Sequence, residues 1–204
     1  FTRKMVQTGC PESSEDILVH RRLMGIELTE EDRNGLSCPY LFAVPCSPHL
    51  AAELAGERIE PAGIAAATDM LLECYDTVLL EGAGGLSVPL TLDYTFADYL
   101  QEYNYPVILV SSPRLGSINH TLNALEILAC RHIRLAAVVY NLHGFTANLK
   151  KAEQAMIADS RQVIRHYLQK LAMDAEIIDL CSPPQITREC KAAVERMLLR
   201  LAAG

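Results

Sequence analysis

Three charged side chains fall at the carboxyl ends of apolar, strand-like runs or just beyond them. Lys4 lies in the extended segment Arg3–Gly9 beside Met5 and Val6. Asp16 opens a helical stretch after the polar turn PESSE, and Glu81 follows the apolar run Thr77–Leu80 and begins EGAGGLSVPL. A lysine in an apolar strand is costly unless its ammonium reaches water or an anion. Two carboxylates and a lysine at one sheet edge would suit a hard cation and a phosphate, with oxygen ligands for Mg²⁺ and an ammonium for negative charge. Each residue also has a plainer reading. Lys4 is close to Phe1 and suits a lysine near a chain end. An acid in a first helical turn is favoured by the helix dipole anywhere, and strand ends become polar as they leave a core.

A second group lies further along. In LGSINH, Gly116 and Ser117 precede a helical stretch, whose first backbone N–H groups could hold a carboxylate or phosphate. An ordinary serine cap explains the same pattern. Asn141, ending the apolar VVYN, could hydrogen-bond a nucleotide base or start a turn. His49, after a Ser-Pro turn, reads as a surface-loop histidine. There is no HExxH motif, no Ser-His-Asp arrangement and no metal-spaced histidine pair.

Alternating strand and helix signals must position these groups. The extended segment Arg3–Gly9 leads to a helix over Asp16–Met24. In one unbroken strand Lys4 and Thr8 would point to the same face. Pro39, Pro45 and Pro48 break the stretch SCPYLFAVPCSPHL, which reads as loop with at most short elements. A helix is expected over Pro61–Cys74, with Ile64, Met70, Leu71 and Leu72 on its buried side. A buried strand over Thr77–Leu80 and a short helix over FADYLQEY come next. Strands over Val107–Ser112, Leu135–Asn141 and AEIIDL then alternate with helices over His120–Ala129, Leu149–Leu171 and Glu189–Ala203. Strands that are continuously apolar are those of a parallel sheet covered by helices on both faces. The expected architecture is a single doubly wound α/β domain over residues 1–204.

Bulk properties narrow the function classes. Half of the 204 residues are hydrophobic, so the composition is that of a globular protein with a substantial core. A net charge of −7 without any Lys/Arg block argues against a nucleic-acid surface. No apolar stretch approaches the ~20 residues of a membrane span. The seven cysteines are scattered and never form CxxC, which suits reduced thiols in a cytoplasmic protein.

Several stretches taken together are more specific. KMVQTG (4–9), EDILV (15–19), CSPHLAA (46–52), VLLEGAGGLSVPL (78–90), FADYL (96–100), PVILVSSPRLGSINHTL (106–122) and VVYN (138–141) resemble the dethiobiotin synthetase family in order and spacing. The likeness covers residues 1 to about 145 and weakens afterwards. It implies a P-loop NTPase fold of the MinD-like type and a homodimer. It also implies ATP-dependent ring closure of 7,8-diaminononanoate with CO₂ to dethiobiotin, a step of biotin biosynthesis. By that resemblance Lys4 matches the catalytic lysine, and Thr8 a substrate-contacting hydroxyl. Asp16 and Glu81 match the Mg²⁺-binding carboxylates, with Gly82, Ala83 and Gly84 along the nucleotide-phosphate edge. Asn141 matches an adenine-contacting asparagine. Gly116, Ser117, Ile118 and Asn119 match a helix start that holds the substrate's distal carboxylate across the dimer interface.

The family's opening strand, phosphate loop and helix have no counterpart here, since no G-x-x-x-x-G-K-[ST] occurs in these residues. That loop supplies a backbone cradle for phosphates, and its strand is central in the sheet. The expectation is therefore a longer polypeptide, of which roughly thirty residues, one strand–helix unit, are missing. On that reading these 204 residues alone do not catalyse the reaction. Two alternatives are a non-catalytic relative that binds a ligand or partner, and a different amidoligase or ATPase of the same branch.

Overall fold

The computed structural model describes residues 1–145, 150–181 and 188–202. The chain divides into two compact units, Phe1–Tyr99 and Leu100–Gly204. Both are α/β with parallel strands.

The first unit contains β1 (Thr2–Lys4), β2 (Val6–Thr8), β3 (Tyr40–Phe42) and β4 (Leu79–Glu81). β1 pairs in parallel with β4, and β2 in parallel with β3. The extended N-terminal segment thus serves two partners, changing over at a bend at Met5. This bend corrects the expectation of one unbroken strand, so the two-residue period no longer links the faces of Lys4 and Thr8. A short antiparallel pair, β5 (Pro89–Thr91) and β6 (Tyr94–Thr95), follows.

Local chemistry explains the helices. α1 (Glu15–Met24) starts where the Ser14 hydroxyl accepts the Ile17 N–H, and it stops at Gly25, whose φ of 69° is left-handed. A single turn, α2 (Glu30–Arg33), comes next, its start held by the Thr29 N–H, which donates to Asp32 Oδ2 at 2.8 Å. The proline-broken stretch holds β3 and also α3 (Pro48–Leu54), which begins on its proline as a first helical turn permits. α4 (Pro61–Leu72) buries Ile64, Ala65, Ala67, Thr68 and Leu71. Met70 and Leu72, expected inside, are exposed, because they fall off that stripe. β4 is also more exposed than its apolar run implied. Its one ladder among the described residues is with β1, so its far edge has no strand partner there. α5 (Phe96–Glu102) runs from the first unit into the second.

In the second unit, β7 (Val107–Ser111), β8 (Leu135–Asn141) and β9 (Glu176–Leu180) form a three-stranded parallel sheet with β8 in the middle. The central strand is the most apolar, and Ala137, Val138 and Tyr140 are fully buried. α6 (Ser117–Cys130) and α7 (Lys151–Lys170) are tied by the Tyr167 hydroxyl, which donates to Glu126 Oε1. α8 (Arg188–Ala202) lays Ala193 and Met197 on Ala137 and Ile178. Here the continuous-apolar signal for parallel strands holds well.

Candidate active site

The register of the first ladder brings the site together. Lys4 and Glu81 are paired residues, each the last of its strand, so both reach the carboxyl ends of neighbouring parallel strands. Backbone bonds fix the spot further: the Lys4 N–H donates to Ser37 O, and the Met5 N–H to Glu81 O, both at 2.8 Å. α1 then delivers Asp16 from its first turn. The Lys4 ammonium lies 2.5 Å from Asp16 Oδ2 and 2.8 Å from Glu81 Oε1. Its side chain is only 6% exposed, while the carboxylates are 37% and 48% exposed. A buried cation thus faces two acids that open toward water. Burial alone would push the Lys4 ammonium to titrate lower, but the two carboxylates outweigh it and hold the group above the ordinary lysine value.

Sequence reasoning missed a fourth member. His20 is one helical turn beyond Asp16 on α1, and its Nε2 lies 2.9 Å from Glu81 Oε2. The spacing i, i+4 places both on one helix face, and that was the available signal. Asp16, for its part, does not cap α1; Ser14 does.

Asp16 and Glu81 fit a hard cation. They are oxygen donors already converging on one positive charge. Mg²⁺ keeps several waters and is commonly held by one or two carboxylates together with phosphate oxygens. Among the described residues no group of three or more His, Cys, Asp or Glu is arranged to hold a metal by protein ligands alone.

The turn after Glu81 is fixed by sterics. Gly84 has φ +83°, and a Cβ there would lie 2.8 Å from the Val88 side chain. Glycine is required at that position on both counts. At Gly82 a Cβ would meet the Phe96 ring at 3.6 Å, an ordinary contact, so nothing in the structure itself demands glycine there. Thr8 ends β2, half-buried, with Phe42 as its register partner.

The remaining predicted residues belong to the second unit. Gly116 is the left-handed N-cap of α6, and no side chain caps the helix. Ser117 uses its hydroxyl differently. Its Oγ accepts the Ser112 N–H at 3.2 Å and lies 3.3 Å from Ser111 Oγ, which also meets Thr121 Oγ1 at 2.7 Å. This chain of hydroxyls pins the helix start to the end of β7. Gly116 and Asn119 are exposed and Ile118 half-buried. Asn141 ends β8, and its Oδ1 accepts the His143 N–H at 2.9 Å, an Asx turn.

Residues 3–175 match the model of a P-loop NTPase family described as an AAA domain. An ATP-dependent dethiobiotin synthetase of Pasteurella multocida is 49% identical over 184 residues, which is 89% of this chain and 84% of that protein. The chain belongs to the dethiobiotin synthetase family. Family members of the same name from Haemophilus ducreyi (51% identical, 83% of this chain and 76% of that protein) and Chlorobaculum tepidum (48%, 88% and 73%) agree. The family match spans both units, and so includes Lys4, Asp16 and Glu81 as well as Gly116–Asn119 and Asn141.

Proposed function

We propose that the protein closes the ureido ring of dethiobiotin from 7,8-diaminononanoate, CO₂ and ATP. The observation that carries this reading is the Lys4–Asp16–Glu81 cluster at paired strand ends, in a chain about half identical to dethiobiotin synthetases over most of its length.

In the reaction one amine captures CO₂ as a carbamate. The carbamate oxygen attacks the γ-phosphorus, the bond to the bridging oxygen of ADP breaks, and a carbamic–phosphoric anhydride forms. The second amine attacks its carbonyl carbon and expels phosphate, giving the cyclic urea. Every step gathers or moves negative charge, so catalysis is mainly positioning and charge stabilisation. Lys4 suits that work. Two of its three N–H donors address Asp16 and Glu81, which aim the ammonium and leave a third for a carbamate or phosphoryl oxygen. Asp16 and Glu81 would hold Mg²⁺, which when bound neutralises phosphate charge. Thr8 supplies a hydroxyl toward the diamine, and Gly82, Ala83 and Gly84 line the phosphate edge.

The uncapped start of α6, from Gly116 through Ser117 and Ile118 to Asn119, takes the substrate's distal carboxylate, in a homodimer. The Asn141 carbonyl is already used in its turn, so adenine would be read by the amide NH₂. A cytoplasmic setting fits cysteines that form no disulfide among the described residues, and no helix among them is long and apolar enough to cross a membrane.

The test is direct. The intact protein, given the diamine, bicarbonate and Mg-ATP, should form dethiobiotin and ADP in equal amounts. ADP formation independent of the diamine, or no dethiobiotin at all, would overturn the assignment.

A further inference from the structure

We infer that His20 is a positioning residue for Glu81: it holds the carboxylate oxygen that Lys4 does not, so that the group is presented to a divalent cation in one orientation. This rests on the reading of Glu81 as a metal ligand. Glu81 is gripped at both oxygens, Oε1 by the Lys4 ammonium at 2.8 Å and Oε2 by His20 Nε2 at 2.9 Å. A carboxylate on the end of a glutamate rotates freely about its last bond, and one contact leaves that rotation open. Two contacts on different oxygens close it.

The ring's own geometry fits such a role. An ionised carboxylate only accepts, so His20 donates from Nε2. Its Nδ1 is buried and makes no hydrogen bond, which a bare lone pair tolerates better than an N–H would. Asp16 and His20 share one face of α1, so the helix that brings one carboxylate to the cluster also brings the brace for the other. A surface histidine–glutamate pair contributes little to stability, so the pairing matters chiefly through what it does to the carboxylate. Outer partners of metal-binding side chains are commonly worth 10–100-fold in metal affinity.

The experiment measures Mn²⁺ binding by electron paramagnetic resonance to the intact protein with ATP present and the diamine omitted, so that nothing turns over. His20→Leu should weaken Mn²⁺ by about 10-fold or more. His20→Gln places an amide nitrogen near the Nε2 position and should regain most of that loss. His20→Asn places its nitrogen near Nδ1 and should not. The Gln and Asn variants decide the matter even where His20→Leu fails to fold. Equal affinity in the Gln and Asn variants, or wild-type affinity in His20→Leu, overturns the positioning role. Glu81→Gln separates the two readings: weakened Mn²⁺ there with His20→Leu unchanged removes only His20, whereas unchanged Mn²⁺ in both removes the metal site as well.

Discussion

Lys4 lies almost wholly buried, with its ammonium against two half-open carboxylates. An ammonium held that way gains most when further negative charge develops beside it, so it lowers the barrier more than it aids binding. Lys4→Ala in the intact protein should reduce kcat by on the order of 10²-fold or more, and Lys4→Gln should restore little because it lacks the charge. Steady-state dethiobiotin formation reads this out, and an unaltered kcat removes Lys4 from the reaction. Gly84 makes a different prediction. Gly84→Ala must bear a left-handed backbone and a contact at 2.8 Å with Val88, so it should destabilise the protein by about 1–3 kcal/mol in urea unfolding. The meeting of Lys4, Asp16 and Glu81 was legible because all three fall at strand ends or just beyond, with Lys4 and Glu81 set against apolar neighbours. His20 was not, since a histidine among polar helix residues differs from its background only through a partner far along the chain.

At the scale of the element, the start of α6 is defined by what it lacks. Gly116 offers no side chain, Ser117 turns its hydroxyl back to β7 and its N–H donates to Arg114 O, so among the described residues the Ile118 and Asn119 N–H groups are the ones of this turn that the proposed site offers a carboxylate. A diamine without the distal carboxylate should therefore bind more weakly by about 1.5–3 kcal/mol, measured by calorimetry. Equal affinity for the two diamines would place the recognition elsewhere. Long elements were read well from sequence: β7, β8, β9 and α7 carry enough apolar period to declare themselves. Several elements of two to four residues were not. β3, α2, β5 and β6 are too short for a periodic signal, and their existence depends on partners brought by the rest of the chain. The apolar run into β4 misled in the other direction, because such a run reports the residue types and not how many neighbours the strand finds.

For the molecule as a whole, much depends on a pair far less visible than the active site. Arg21 Nε and Nη2 donate to the two carboxylate oxygens of Asp32, with side chains 2% and 3% exposed, and Arg21 also donates to Thr2 O and stacks over Phe1. Burial alone would raise the Asp32 carboxyl; Arg21, the Thr29 N–H and Ser37 instead bring it down to about 2. A carboxyl lowered on folding stabilises the protein above its ordinary range, near pH 4, and that contribution is lost as pH falls toward the folded value. Urea midpoints should thus fall between pH 4 and 2 by an amount equivalent to about 2 kcal/mol for this group. Asp32→Asn should be about 3 kcal/mol less stable at pH 7 and lose less over that acid interval. A wild-type acid slope in the variant would assign the effect to other carboxylates. Nothing in composition pointed to this pair, since buried charge is read from sequence only when its partner is known.

The change of partner at Met5 has a consequence for how this chain can vary. Residues 2–4 are locked in register to β4 and residues 6–8 to β3, with a single residue between the two ladders. Adding or removing one residue there would carry either Lys4 or Thr8 about 3.3 Å along its strand. The ammonium would leave Glu81, or β2 would lose its alignment with β3, and no local adjustment restores both. Substitutions across Thr2–Thr8 are a matter of degree, but insertions and deletions are all-or-none, so among working descendants of this sequence the segment keeps its length.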